Sequence, residues 1–280
     1  MEKMLKKYFP IFVLPTLIAF MIAFIIPFLM GVYLSFCSFT TVVDAEFVGF
    51  DNYIKAFSNK DFLNALLFTA KFAVVSVLTI NVFAFILALL LTRKMKGTNL
   101  FRTVFFMPNL IGGIVLGYIW QLIINGVLAN YEKTMYADPK YGFWGLVILM
   151  NWQLIGYMMI IYIAGIQNVP GELMDAVKVD GANKKQQLRH VTIPMVMPSI
   201  TICLFLTVSN SFKLFDQNLA LTGGAPSRKT AMLALDIYDS FYGRVGYEGV
   251  GQAKAVVFFL LVALISLSQL VITRRKEVEH

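Results

Sequence analysis

The chain alternates between long apolar stretches and short charged ones. Six stretches carry at most one charged residue each: 9–36, 64–92, 101–125, 143–166, 193–214 and 251–273. A helix rises about 1.5 Å per residue, so each stretch is long enough to cross a hydrocarbon core of about 30 Å. The pattern does not follow the roughly ten-residue alternating segments of membrane β-barrels. We therefore predict an all-α polytopic membrane protein with six transmembrane helices.

The amino-acid composition is also that of a membrane protein. Hydrophobic residues make up 58% of the 280 residues and charged ones only 14%, and the mean hydropathy is +0.72. A soluble domain has about 45–50% apolar and about 25% charged residues. The chain is therefore too apolar to be predicted as a soluble protein.

The distribution of charge predicts the orientation. With an even number of spans both termini lie on one side, and that side holds 14 of the 24 basic residues but only 6 of the 16 acidic ones. The basic residues concerned are Lys3, Lys6, Lys7, Arg93, Lys94, Lys96, Arg102, Lys178, Lys184, Lys185, Arg189, Arg274, Arg275 and Lys276. By the positive-inside rule both termini are cytoplasmic. The net charge of +8 is thus explained by topology and does not require a nucleic acid partner.

One cytoplasmic loop, 168–194, is more than a connection. Asn168 is expected to cap a helix that has Pro170 in its first turn. Glu172 and Asp175 lie in the same turn, where the helix dipole favours negative charge. Leu173, Ala176 and Val177 then form a small apolar face on that helix.

A second helix is predicted directly after the first. Asp180, Gly181 and Ala182 end the first helix, and Asn183 with Gln186 three residues later has the spacing of a capping box. A helix–turn–helix with a narrow apolar face is suited to docking in a groove of another protein.

This loop resembles the signature of permease subunits in binding-protein-dependent ATP-binding-cassette (ABC) importers. In that signature Glu-Ala-Ala is followed after three residues by Gly, and nine residues later by an aliphatic residue, one further residue and Leu-Pro. The same spacing is found here, from Asp175-Ala176-Val177 through Gly181 to Val191, Ile193 and Pro194. The departures are Asp for Glu, Val for the second Ala and Ile for Leu.

Three further segments are similar to the sugar-uptake branch of this family, and in particular to maltose-type permeases. They are the outer-loop sequence from Phe47 to Tyr53, the segment Leu221-Thr222-Gly223-Gly224-Ala225-Pro226 and the start of the last span at Gly251-Gln252-Ala253-Lys254-Ala255. Lys254 departs from the small residue usual at its position.

The resemblance implies a type I ABC importer permease fold and a set of partners. These are a second, different permease, two ABC ATPase subunits beneath the membrane, an extracytoplasmic sugar-binding protein and the lipid of the bacterial inner membrane. This chain is then not an enzyme and binds no cofactor itself, since ATP and Mg²⁺ belong to the ATPase. The implied divisions are an N-terminal helix and outer loop (1–62), the permease core (63–273) and, within it, the coupling loop (168–194).

The coupling loop is expected to rest in the ATPase. The residues assigned to this role are Glu172, Leu173, Asp175, Ala176, Val177, Asp180, Gly181, Arg189 and Pro194. Closure of the ATPase dimer would then rock the two permeases between inward-facing and outward-facing states.

Polar side chains in spans are candidates for the sugar site, because a central charge or polar group is costly in lipid. The candidates are Asn109, Gly113, Asn151, Trp152, Gln153, Thr207, Asn210, Ser211 and Asp216. An indole beside amides is able to stack on a sugar ring and to bond its hydroxyls. The alternative interpretation is that these residues bridge neighbouring helices, since polar contacts between helices are common in membranes. Span three, with Pro108, Asn109, Gly112 and Gly113, is expected to be a broken helix.

Two other functional classes fit less well. The histidines are His190 and His280, neither in a span, so no intramembrane zinc or Ser–His site is predicted. The run from Gly224 to Thr230 is similar to a phosphate-binding loop, but Arg228 replaces the required Gly. A secondary carrier would need carboxylates in the middle of spans, and none is present.

Within the family, a polyol, a glycerophosphodiester, glycerol phosphate or an amino acid remain alternative cargoes.

Overall fold

The computed structural model describes residues 2–93 and 96–275. Lys94 and Lys276, two of the cations assigned above to the cytoplasmic side, lie outside the described residues, as does His280. The helices are α1 (Glu2–Phe20), α2 (Ile26–Leu34), α3 (Asp51–Ser58), α4 (Lys60–Leu91), α5 (Thr98–Phe106), α6 (Gly113–Ala129), α7 (Pro139–Gln167), α8 (Gly171–Val179), α9 (Lys184–Gln187), α10 (Ile193–Met195), α11 (Met197–Phe212), α12 (Asp216–Leu221), α13 (Leu233–Tyr242) and α14 (Glu248–Arg274). A short antiparallel pair joins β1 (Cys37–Ser38) to β2 (Glu46–Phe47).

Within the described residues, four helical segments are long and apolar enough to cross a membrane: Val13–Leu34, Lys60–Leu91, Pro139–Gln167 and Glu248–Arg274. Two bent pairs, Thr98–Leu110 with Gly113–Ala129 and Lys184–Met195 with Met197–Phe212, bring the number to six if each pair is one span. This number is compatible with the predicted six spans. The all-α prediction is confirmed.

Span three is broken where the sequence predicts a break. After α5 the chain forms a 3-10 turn, Met107–Leu110, and Gly112 is extended with φ −60° and ψ 142° before α6 begins. The two halves differ in direction by 101°. Pro108 lacks a backbone N–H and crowds the preceding turn, so it disfavours continuation of the helix at this point.

Span five differs from its prediction. We expected a single helix over 193–214, with Pro194 at its start, but the described helix runs from α9 through a π-helical segment, Leu188–Thr192, into α10 and then bends by 69° before α11. Val196, at the bend, has φ −90° and ψ 0°. Pro194 and Pro198 flank this residue, and each removes one backbone donor from the helix ladder.

The described chain falls into two compact units. The first consists of residues 1–60 and 237–259 and contains the two-stranded pair. Within it, the amide of Asn52 donates to the carbonyls of Ser35 (3.0 Å) and Cys37 (2.8 Å), so α3 is tied to the end of α2. A side chain on Gly249 would collide with the same carbonyl of Cys37. The outer-loop sequence that resembles sugar permeases therefore has a structural role in this unit.

Lys254, the unusual residue at the start of the last span, is fully buried within the first unit. Its ammonium group donates to the hydroxyl of Ser240 at 2.7 Å. A buried lysine needs such acceptors because desolvation of an ammonium is costly. The hydroxyl of Ser240 therefore helps the fold to tolerate Lys254 at a position where small residues are expected.

The second unit, residues 61–236 and 260–280, holds an apolar core centred on α7. Leu146, Leu149, Met150, Met158 and Met159 of α7 are fully buried in it. Asp138 caps this helix through a hydrogen bond from the backbone N–H of Lys140 (2.9 Å), which lowers the pKa of the Asp138 carboxyl. The core packing and the N-terminal cap together fix the position of α7, which carries three of the predicted substrate residues.

Candidate functional site

A cavity of about 480 Å³ lies in the second unit between the break of span three, α7 and the junction of α11 with α12. Its polar lining is Asn109, Gln153, Asn210, Lys213 and Gln217, and its apolar lining is Met150, Leu154, Tyr157, Leu206 and Leu214. Asn109, Gln153 and Asn210 belong to the residues that the sequence singles out for substrate. The structure therefore brings together three candidates from three different spans.

Amide groups connect the walls of this cavity. Gln217 on α12 donates to the side-chain carbonyl of Gln153 on α7 at 2.9 Å. The amide nitrogen of Gln153 in turn approaches the backbone carbonyl of Ile111, in the break of span three, at 3.4 Å. Gln153 is only 8% exposed, so its orientation is set by these two contacts. Gln153 therefore presents a side-chain amide of fixed orientation to the cavity.

Other polar groups in the lining are not used by the protein. Among the described residues, the side-chain amides of Asn109 and Asn210 make no hydrogen bond, and no carboxylate pairs with Lys213. These groups offer donors and acceptors to a bound molecule. A concave pocket that combines apolar walls with convergent polar groups has the usual character of a small-molecule site.

Three lining residues are additional to the predicted set: Tyr157, Lys213 and Gln217. Tyr157 lies four residues after Gln153, one helical turn along α7, and this spacing indicates that the two side chains share one face of the helix. Gln217 follows Asp216 in the same polar run. Lys213 is the only lysine in its apolar stretch.

Gly113 and Asp216 meet each other beside the cavity without lining it. A side chain on Gly113 would come within 2.8 Å of the Cβ of Asp216 and 2.9 Å of the amide carbon of Gln217. Gly113 is therefore required for the close approach of α6 to α12. That approach places Gln217 opposite Gln153.

Two of the predicted substrate residues on α7 point away from this cavity. The ring of Trp152 packs edge-on against Trp120 of α6, with centroids 5.6 Å apart. The amide nitrogen of Asn151 donates to the carbonyl of Val147 in its own helix, at 2.8 Å. The structure does not bring these two side chains to the lining.

Thr207 and Ser211 of α11 are also outside the lining, and both are 0% exposed. The hydroxyl of Ser211 donates to the carbonyl of Thr207, and the hydroxyl of Thr207 accepts from the amide of Asn81 on α4 at 2.9 Å. The hydroxyl of Tyr162 on α7 donates to the carbonyl of the same Asn81 side chain at 2.6 Å. Asn81 thus joins three spans through one buried amide.

We expect Tyr162→Phe to loosen this junction. The substitution leaves the side-chain carbonyl of Asn81 without its donor, and such contacts between membrane helices contribute about 0.6 kcal/mol on average and at most roughly 1.7. Thermal unfolding of the purified chain in detergent should shift down by the corresponding few degrees. Tyr118→Phe, at an exposed position on α6, is the matched control. Equal midpoints for the two variants would contradict a role for this hydrogen bond.

The predicted coupling loop forms α8, α9 and the helical segments that follow. Asn183 makes the expected capping box, since its carbonyl accepts from the backbone N–H groups of Lys185 (3.1 Å) and Gln186 (3.0 Å), and Gln186 bonds back to Asn183. The expectation for Asn168 was wrong. Asn168 ends α7, and Pro170 immediately precedes α8. The extended backbone of Pro170 at ψ 131° prevents an earlier helix start.

The loop presents an exposed surface. Glu172, Leu173, Asp175, Ala176, Asp180, Gly181 and Arg189 are exposed, and Val177 and Pro194 are half-buried. Asp175 pairs with Lys178 at 2.8 Å on this surface. Leu173 is 43% exposed and Val179 is 87% exposed, although both are large and apolar. Val179 is additional to the predicted set, and its apolar character directly before Asp180 was the signal.

The Gly-Gly segment after α12 is a packed structural turn. Asn218 is fully buried, donates to the carbonyl of Thr230 (2.8 Å) and accepts from the backbone N–H of Met232 (2.9 Å). Arg228, the residue that departs from a phosphate-binding loop, pairs with Asp61 and with buried Asp236. Its guanidinium is engaged by the protein's own carboxylates.

Comparison with known proteins agrees with the signature in the loop. Residues 80–278 match the family of binding-protein-dependent transport system inner membrane components. A relative from Thermoanaerobacterium thermosulfurigenes, described as a probable starch degradation products transport system permease protein, is 44% identical over 96% of this chain and 94% of its own length. A multiple sugar-binding transport system permease protein of Streptococcus mutans is 28% identical over 99% of both chains.

The fold is also that of a solved importer. A chain of a bacterial ABC transporter that imports the acidic polysaccharide alginate superposes with a TM-score of 0.82 over 98% of both chains, at 21% sequence identity. At that identity the similarity establishes the type I importer permease fold alone. Together with the match over residues 80–278, it shows that the chain belongs to the binding-protein-dependent transport system inner membrane components, the permeases of ABC importers.

Proposed function

We propose that this chain forms one half of the pathway of an ATP-driven sugar importer and that its cavity contacts the sugar during passage. The observation that carries the proposal is the set of lining groups. The side-chain amides of Asn109 and Asn210 have no hydrogen-bond partner among the described residues, and Gln153 is fixed by its neighbours. Amides bond neutral hydroxyls well, and Tyr157 supplies an aromatic face. The relatives with sugar-transport descriptions support the same cargo class.

The remaining predicted residues have supporting roles in this proposal. Thr207 and Ser211 hold spans two, four and five together, Gly113 and Asp216 set the approach of α6 to α12, and Trp152 packs on Trp120. The cargo itself contacts Asn109, Gln153 and Asn210, together with Tyr157, Lys213 and Gln217.

The exposed loop would couple the pathway to ATP hydrolysis in a partner. The apolar side chains of Leu173 and Val179 stand in solvent in the isolated chain, and their burial in an ATPase groove would remove that exposure. Both termini would then be cytoplasmic, with a second permease beside this one and a sugar-binding protein on the outer face. Nucleotide and Mg²⁺ would be bound by the ATPase subunits.

The test is the ATPase activity of the assembled transporter in lipid, with its binding protein preloaded from a panel of cargoes. Starch degradation products are the first members of the panel, followed by other saccharides, polyols, glycerol phosphate and amino acids. Stimulation by one saccharide class supports the proposal and identifies the cargo. Stimulation by amino acids alone would overturn the sugar assignment. Gradient-driven uptake by the chain without an ATPase would overturn the importer itself and favour a secondary carrier.

One observation favours a second cargo class. Lys213 lines the cavity, and no carboxylate of the described residues pairs with it. An ammonium group in a pathway suits a phosphorylated or acidic cargo such as glycerol phosphate. Lys213→Gln separates the two classes, since it should reduce transport of an anionic cargo strongly and that of a neutral sugar weakly.

We expect Asn210→Leu to reduce sugar transport without loss of stability. The amide of Asn210 has no described partner in the protein, so its removal leaves no protein group unpaired. Loss of one hydrogen bond to the cargo corresponds to about 1–1.5 kcal/mol, or roughly 5–12-fold in uptake at low sugar concentration. Ser209→Ala, next to it on α11, is the control. Unchanged uptake by Asn210→Leu would remove this residue from the site.

A further inference from the structure

A second cavity, of about 620 Å³, lies in the second unit between the end of α4, α8 and the segment from α9 to the π-helical turn. It is lined by Leu89, Arg93, Met174, Lys184, Lys185, Gln187, Leu188 and Thr192. The lining combines three cations with three apolar side chains and contains no carboxylate. Neither the proposed sugar pathway nor the proposed ATPase contact uses this cavity.

The cations of this cavity have no anionic partner in the part of the chain that the structure describes. Among the described residues, no carboxylate forms an ion pair with Arg93, Lys184 or Lys185, and all three side chains are exposed. Three converging cations without a counter-charge attract an anion. The planar guanidinium of Arg93 is suited to bidentate bonding of a phosphate.

The apolar side chains favour an amphipathic anion over a simple one. Leu89 and Leu188 also line the cavity and are half-buried. Ile86, three residues before Leu89 and on the same face of α4, is 47% exposed. An acyl chain would continue from the cavity along this face, which belongs to a membrane-spanning helix. Inorganic phosphate would leave these apolar groups unused.

The cavity is lined by a residue of α8 other than the exposed apolar pair, Leu173 and Val179, that we assign to the ATPase. Met174, which lines the cavity, is half-buried, whereas the neighbouring Leu173 and Val179 are exposed. Residues at successive positions of a helix point about 100° apart, so Met174 lies on another face of α8. The exposed side chains of Leu173 and Val179 do not line the cavity, so contact of an ATPase with them does not by itself fill it.

We propose that this cavity binds one anionic phospholipid of the cytoplasmic leaflet. The headgroup phosphate is held by Arg93, Lys184 and Lys185, and the start of an acyl chain lies on Leu89, Met174 and Leu188. Basic pockets at the cytoplasmic ends of spanning helices bind anionic headgroups in this way. The inference rests on the cytoplasmic orientation proposed above, and its test is independent of transport. The lipid would contact α8 directly, so leaflet composition would act on the coupling loop.

The experiment is native mass spectrometry of the delipidated full-length chain with phosphatidylglycerol or phosphatidylcholine of equal chain length. We expect one phosphatidylglycerol to bind more tightly than any phosphatidylcholine. Each cation near an anionic headgroup is worth roughly fivefold in affinity, so Arg93→Gln/Lys184→Gln/Lys185→Gln should weaken that binding on the order of 100-fold. The control, Lys55→Gln/Lys96→Gln/Lys133→Gln, removes the same charge from exposed positions outside the cavity and should keep the affinity.

Three results of the lipid measurements would overturn the proposal. These are equal affinity for the two lipids, phosphatidylglycerol binding that survives the triple substitution, and an equal loss in the control variant. Glycerol phosphate is the probe for a free anion. It should fail to displace phosphatidylglycerol, and displacement at comparable concentration would assign the site to a soluble phosphate instead. Failure of the sugar importer assignment would leave this result unchanged.

Discussion

Gly181→Trp is expected to abolish ATP-driven uptake while the chain still folds. Gly181 lies just beyond the end of α8 with φ +77°, and a side chain at this position would meet nothing within 4 Å. The left-handed backbone costs a non-glycine residue about 1–3 kcal/mol, and the indole would stand on the exposed surface that we propose docks to the ATPase. Uptake into proteoliposomes and sugar-stimulated ATPase activity should both fall to background.

The control for this prediction is Gly181→Asn. Asparagine adopts the left-handed conformation more readily than other residues and adds little bulk, so it should retain most activity. The affinity of the external binding protein for its sugar should be the same in all cases. Full uptake by Gly181→Trp at normal expression would refute the coupling role of the loop.

Charge reversal of Asp175 tests the same surface without backbone strain. Asp175 pairs with Lys178, and both side chains are largely exposed. Such exposed pairs contribute only about 0–1 kcal/mol to stability. Loss of uptake by Asp175→Lys, with an unchanged unfolding midpoint, would therefore be assigned to docking. Wild-type uptake by this variant would exclude Asp175 from the docked surface.

Gly156→Leu is expected to prevent the chain from folding correctly. A Cβ on Gly156 of α7 would collide with the backbone carbonyl of Phe105 at the end of α5. Since the obstacle is backbone, it has no rotamer by which to move away, and the cost should exceed the roughly 1–3 kcal/mol usual for overpacking. Expression, monodispersity and the thermal unfolding midpoint in detergent should all fall sharply.

Gly126→Leu provides the matched comparison. Gly126 lies inside α6, and a Cβ there would meet nothing within 4 Å. Leucine has a better helix propensity than glycine, so this variant should be at least as stable as the wild type. Similar behaviour of the two variants would show that the close contact of α5 with α7 is not needed.

The features that the sequence predicts correctly depend on neighbouring residues. Apolar length defines the spans, Pro108 with Gly112 defines the break in span three, and Asn183 with Gln186 defines the capping box. Each of these is a local preference of the backbone that acts over a few residues. The cap at Asn168 was predicted wrongly because two helices meet there, and a single residue was able to end one or begin the other.

The roles of polar residues in spans depend on which neighbour each one meets. Thr207, Asn210 and Ser211 share one broad face of span five in the sequence. In the structure, Asn210 lines the cavity, whereas Thr207 is bonded to Asn81. Helical periodicity reports the direction of a side chain but not what lies in that direction. Gln217 and Tyr157 line the cavity although they were not predicted, because the sequence pattern does not show what their side chains face.

The sequence by itself determined the class of membrane protein, the break in span three and the helical loop after span four. These follow from hydrophobic length and backbone propensity, which act within one segment. Tertiary structure decided the walls of the cavity and the pairing of Tyr162 with Asn81. Such features arise from packing between segments far apart in the chain. The free energy of those contacts depends on the distances between segments, which the sequence of one segment alone does not determine.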